Sequence, residues 1–132
     1  MTSIEELASR VDRLESRAAI RELVTKYAIA CDEHDIPTLQ NLFTRDAVFK
    51  SPSSFLESSG REAIASMFIE VLKTRGPGYH WTHDLIVNFG DDENSATGVV
   101  YSHAETTPNG VVSIAAMKYK DKYRRESGVW YF

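Results

Sequence analysis

At 132 residues, with apolar side chains at 42% and charged ones at 26%, the chain fits one domain that folds without a metal or a disulfide. Fifteen basic against 19 acidic residues leave a formal net charge of −4, which argues against nucleic acid as the main partner, since phosphate binding rests on clustered Lys and Arg. A single cysteine, Cys31, excludes an internal disulfide and a Cys-based zinc site, and no apolar run approaches the roughly 18 residues of a membrane span, so a cytoplasmic protein with no membrane partner is expected.

The first half reads as helix. The opening, Met1-Thr2-Ser3-Ile4-Glu5-Glu6, is too acidic for a signal peptide, and Ser3 with Glu6 forms a capping box. Ile4, Leu7, Val11 and Leu14 follow at heptad spacing, and this stripe is expected to pack on the body or on a second chain. Ile20, Leu23, Val24, Tyr27 and Cys31 then broaden the apolar face, giving helix over about residues 4–33. Asp35 caps a short helix that carries Pro37 in its first turn. A short strand at Ala47-Val48-Phe49 and a Ser-rich loop follow. A second capping box, Ser59 with Glu62, opens a helix presenting Ile64, Met67, Phe68, Val71 and Leu72, and Gly76-Pro77-Gly78 ends it.

The second half reads as strands: Tyr79–Phe89, Ala96–Thr106, Val111–Arg125 and a last one from Val129. The turns between them are too short for parallel crossovers, so an antiparallel meander follows. Helices first and strands after predict an α+β domain whose sheet is covered on one face.

Two features bear on chemistry. Asp32 lies in Cys31-Asp32-Glu33-His34-Asp35, an acidic run at a helix end that favours cations. It follows Tyr27 and Cys31 on the buried side; a surface Asp near a turn is the plainer alternative. In Tyr79-His80-Trp81-Thr82-His83-Asp84, a flat strand puts His80, Thr82 and Asp84 on one face, with Trp81, His83 and Leu85 on the other. The two histidines are then badly placed to share a metal, and none is expected. A carboxylate bonded to one imidazole nitrogen would fix the tautomer and leave the other nitrogen as a base, so Asp32 and His80 together make a minimal proton-transfer dyad that needs no cofactor. Aromatic residues including Phe49, Phe55, Phe68 and Trp81 are candidate pocket walls, although each is also plausible core. His34 reads as solvated, and so does the face carrying Lys118, Lys120, Lys122 and Arg124.

The order of these pieces resembles SnoaL-like proteins of the nuclear transport factor 2-like superfamily. It is carried by Arg17 to Tyr27, Asp32, Asp35, Leu39 to Phe43, His80 with Asp84-Leu85-Ile86-Val87, Ala96-Thr97-Gly98, and Lys120 to Arg125 with Gly128-Val129-Trp130. The resemblance covers nearly the whole chain. It implies one domain over 1–132, a cone of curved antiparallel sheet with about three N-terminal helices enclosing a pocket, and an end at Phe132 short of the C-terminal basic residue or lid that some relatives use. It further implies a dehydratase-like lyase or an isomerase acting on a hydrophobic small molecule without a cofactor. Asp32 and His80 would be its proton-transfer pair and Tyr27 its hydrogen-bond donor to a substrate oxygen. From residue type and strand position, Phe49, Phe55, Phe68, Trp81, Tyr101 and His103 are the expected substrate contacts. The alternatives are a non-catalytic binding or dimeric interaction module and an accessory β-subunit of an oxygenase. A homodimer is expected because both sheet faces read as apolar.

Overall fold

The computed structural model describes residues 2–132. Helix α1 (Ile4–Asp32) begins at the expected capping box, where the Ser3 hydroxyl accepts from the Glu6 N–H and the Glu6 carboxylate accepts from the Ser3 N–H. Its first turns stand off the body. Ile4, Leu7, Val11 and Leu14 are exposed, so the heptad stripe does not pack on this chain's own core. From Ile20 onward one face of the helix is buried, with Ile20, Leu23 and Val24 at 4% exposure or less. Helix α2 (Ile36–Gln40) is capped by the Asp35 carboxylate, which accepts from the Thr38 N–H at 3.2 Å.

Strands β1 (Val48–Ser51) and β2 (Leu56–Ser59) form an antiparallel hairpin in which Val48 pairs with Ser59. The expected loop therefore contains a strand, and Ser59 does not cap the next helix. Gly60 occupies the cap position of α3 (Arg61–Arg75) with φ +92°, a backbone conformation natural to glycine. Its N–H donates to the Ala47 carbonyl at 2.7 Å, which ties the helix start to the hairpin.

The main sheet is a curved four-stranded meander, β3 (Tyr79–Phe89), β4 (Ser95–Thr106), β5 (Ser113–Glu126) and β6 (Val129–Tyr131), with each strand antiparallel to the next. One irregularity corrects the facing predicted from strict alternation. Thr82 pairs with Ser102 but Leu85 with Val100, so three steps on β3 match two on β4, a β-bulge. Leu85, Val87 and Phe89 consequently share the inner face with His80 and Thr82 and pack against the core, while Trp81 and His83 stay outside. The Asp84 carboxylate serves the bulge, accepting from the Leu85 N–H at 2.9 Å and pairing with Arg21 at 2.5 Å.

The core lies between α1, α3 and the inner face, where Ile20, Leu39, Ile64, Val24 and Val100 are its most enclosed large side chains. Arg125 fastens one end. Its guanidinium donates to both Asp12 oxygens (2.8 and 3.2 Å), to the Ser16 hydroxyl, to Asn94 Oδ1 and to the Glu93 carbonyl. Among the described residues no helix is long and apolar enough to cross a membrane.

Candidate active site

Asp32 is the last residue of α1, and no basic side chain sits in that helix's last turn. Its charge faces the negative end of the helix dipole and must be satisfied from elsewhere. Strand β3 supplies the partner. The His80 backbone N–H lies 3.0 Å from both Asp32 oxygens, and His80 Nδ1 lies 2.6 Å from Oδ1. Both side chains are largely enclosed, at 7% exposure for His80 and 16% for Asp32. Because a carboxylate only accepts, Nδ1 carries the proton toward Asp32, and neutral His80 keeps its lone pair on Nε2. The two residues, 48 positions apart in sequence, thus meet at the end of α1.

Tyr27 lies on α1 five residues before Asp32, about 7.5 Å along the helix axis. Its ring meets Phe43, Phe68, Tyr119 and Phe132 edge-on, at centroid separations of 5.7–6.4 Å. Burial pushes its hydroxyl well above the usual tyrosine range, so it remains a protonated donor at any working pH. Burial likewise pushes the Cys31 thiol and the Tyr119 hydroxyl up to about 12.

A cleft of about 1140 Å³, open to solvent, runs beside β5 and the β1 strand. Tyr27, Phe43, Phe49, Tyr119, Asp121 and Phe132 contribute to its wall. His80 and Asp32 do not. Its lining on β5 stops at Ala116, which pairs with His103, one residue or about 3.4 Å along the strand from the row holding His80 and Ala104.

The predicted substrate contacts divide. Phe49 lines the cleft, whereas Phe68 is core behind the wall, packed on Phe49 and Tyr27. Phe55 is 95% exposed in the hairpin turn, where its left-handed backbone turns it away from the body. Trp81, Tyr101 and His103 lie on the outer face, because Trp81 pairs with His103 and Tyr101 alternates with the buried Val100 and Ser102. There Trp81 stacks on His103, and His83 Nε2 lies 3.0 Å from His103 Nδ1. The expected contacts Phe55, Phe68, Trp81, Tyr101 and His103 are therefore placed outside the cleft. Among the described residues no three His, Cys, Asp or Glu side chains group as a metal site.

Asp121 went unnoticed in the sequence. It lines the cleft, and burial pushes its carboxyl up to about 6 although Tyr123 Oη donates to Oδ2 at 3.0 Å. Its spacing from Tyr119 and Tyr123, opposite the lysine face, was the available signal.

No curated protein matches the sequence significantly. Solved structures do. A type 2 hexachlorocyclohexane dehydrochlorinase, LinA, superposes with a TM-score of 0.85 at 25% identity, covering 93% of this chain and 84% of that one. A second LinA structure gives 0.85 at 26% identity, covering 94% and 85%. A scytalone dehydratase candidate from Novosphingobium aromaticivorans gives 0.82 at 21% identity over 93% and 83%, a likeness of fold. The SnoaL-like domain family matches residues 12–132, and the chain belongs to that family.

Proposed function

We propose that this protein is a cofactor-independent lyase of dehydratase or dehydrochlorinase type, in which Asp32 and His80 abstract a proton from a hydrophobic small molecule. The observation that carries the reading is the 2.6 Å contact between His80 Nδ1 and Asp32 Oδ1. It leaves Nε2 as the basic nitrogen, and Asp32 stabilises the imidazolium formed when the proton arrives. The C–H electron pair becomes the new C=C bond, and the leaving group departs with its own pair. Tyr27 would donate to an oxygen leaving group or to a carbonyl that gains charge, in an apolar setting where such bonds are strong. Isomerisation differs only in returning the proton to another carbon. The likeness to hexachlorocyclohexane dehydrochlorinase supports elimination as the first reaction to test.

The test is chloride release from hexachlorocyclohexane, followed by water loss from hydrophobic β-hydroxy ketones, with wild type and His80→Ala. Loss of the base should cost about 10²- to 10⁴-fold in turnover. Equal turnover by both proteins would end the proposal.

A second reading is favoured by one observation: the cleft wall stops short of His80. In it the pair is a clamp joining α1 to β3, and the cleft belongs to a binding module. That reading expects no turnover by either protein and a loss of stability in His80→Ala. Under either reading we propose a homodimer through the outer sheet face, where Tyr79, Trp81, Ile86 and Tyr101 are exposed; a monomer by sedimentation at micromolar concentration would refute it.

A further inference from the structure

The cleft contains a polar centre far from the dyad. Asp121 pairs with Gly98 across β4 and β5, and His80 pairs with Ala104. Gly98 and Ala104 are six residues apart, so the two centres are separated by roughly 20 Å along the sheet. They cannot serve the same reacting atoms.

Three features show that the Asp121 centre is built. Its Oδ2 accepts from Tyr123 Oη at 3.0 Å, which fixes the carboxyl in one orientation. Tyr123 reaches it by lying over the bare Cα of Gly98. A methyl group there would sit 2.7 Å from Tyr123 Cε2 and 2.8 Å from its Oη, so the glycine supplies the room the hydroxyl needs. Finally, among the described residues Oδ1 has no hydrogen-bond partner, yet no enclosed side-chain oxygen is left unpaired, so Oδ1 opens onto the cleft.

Among the described residues no cation pairs with this carboxyl. Lys120 and Lys122, its chain neighbours, are exposed on the opposite face of β5. The groups facing it are phenols: Tyr123 and Tyr119 from its own strand, and Tyr27 from α1. Burial without an ion pair holds the carboxyl at about 6. An acidic group kept costly in this way, aimed into an aromatic-walled cleft, suits a ligand rather than the fold.

We infer that Asp121, oriented by Tyr123, is a binding residue for the hydroxyl group of an aromatic ligand seated in the cleft. The aromatic body packs against Phe49, Phe132 and the tyrosine rings, and its O–H donates to Asp121 Oδ1. This subsite requires nothing of the chemistry at His80.

The probes are 2-naphthol and 2-methoxynaphthalene, which share a ring system but differ in the ability to donate. Binding is followed by naphthalene fluorescence and by calorimetry with the full-length chain. Wild type should prefer 2-naphthol by at least tenfold. Asp121→Leu, which fills the site with an apolar side chain of similar size, should erase that preference while still binding both probes. Tyr123→Phe should reduce it, and His80→Ala should leave it intact. Equal binding of the two probes by wild type, binding of neither, or a preference that survives Asp121→Leu would overturn the inference. None of these results depends on whether His80 is a base.

Discussion

Replacing Asp32 by Asn separates the role proposed for the Asp32–His80 pair in proton transfer from its role in the fold. Asn has the right shape but cannot satisfy the site in either amide orientation. The His80 backbone N–H lies 3.0 Å from Oδ1 and 3.0 Å from Oδ2, so an NH₂ group in either place meets another donor. The substitution thus removes a charge-assisted bond to Nδ1 and creates one donor–donor contact in a site of low exposure. Together these should cost about 2–4 kcal/mol. For a chain of this length that lowers Tm by roughly 6–15 °C. Urea melts give the free energy directly. Long-range ¹H–¹⁵N spectra of the imidazole give the tautomer with no substrate required: neutral His80 should carry its proton on Nδ1 in wild type and become a mixture in Asp32→Asn. Turnover, measured well below the lowered Tm, should fall about 10²- to 10⁴-fold. A wild-type ring protonated on Nε2 in its neutral form would refute the base assignment. An Asp32→Asn protein as stable as wild type would refute the geometry.

Other substitutions give separate readings. Tyr27→Phe should keep the fold, since the ring contacts with Phe43, Phe68 and Phe132 survive, and should lower turnover about 10²- to 10³-fold if the hydroxyl meets an oxyanion. Arg125→Met should cost about 2–4 kcal/mol in urea melts, because the buried Ser16 and the Glu93 carbonyl lose their donor and Asp12 its partner. Asp121→Asn should stabilise the protein at pH 7.5 but not at pH 4. The wild-type carboxyl is raised to about 6 in the fold, so native protein holds its proton more tightly than unfolded chain, and stability falls as pH rises between about 4 and 6. That difference is at most roughly 3 kcal/mol, and Asn, which never ionises, escapes it. Asp12 works in the other direction: Arg125 holds its carboxyl below the usual range, so its contribution is lost as pH falls through that lowered value.

The parts of the fold legible in the sequence were those governed by local chemistry. Ser3 and Glu6 announce a capping box because the motif needs only four residues, and Asp35 caps α2 for the same reason. Tyr79–Phe89 was read to the residue, bounded by Gly-Pro-Gly before it and Gly90 after it. The misreadings share a different cause. Strand β2 is Leu-Glu-Ser-Ser, with too little apolar alternation to declare itself, and it exists because β1 offers it a partner. The Ser59 cap failed because that pairing claims Ser59 first, leaving Gly60 to start the helix. The β-bulge is a property of the β3–β4 ladder and not of β3 alone, so alternation within one strand put Leu85 on the wrong face.

The same distinction explains why one polar centre was visible and the other was not. Asp32 contradicts its surroundings, a carboxylate where a helix end favours a cation, and such a local conflict is evidence that something outside the segment compensates. His80 provides that compensation through both its backbone and its ring. Asp121 contradicts nothing locally. Within Lys118-Tyr119-Lys120-Asp121-Lys122-Tyr123 it reads as one more charge on a solvated strand, flanked by a lysine on each side. Alternation nevertheless assigns it to the tyrosine side, and that placement removes it from every lysine beside it in the chain. In a half-buried strand, a charge is judged by the residues two positions away, which share its face, and for Asp121 those are Tyr119 and Tyr123.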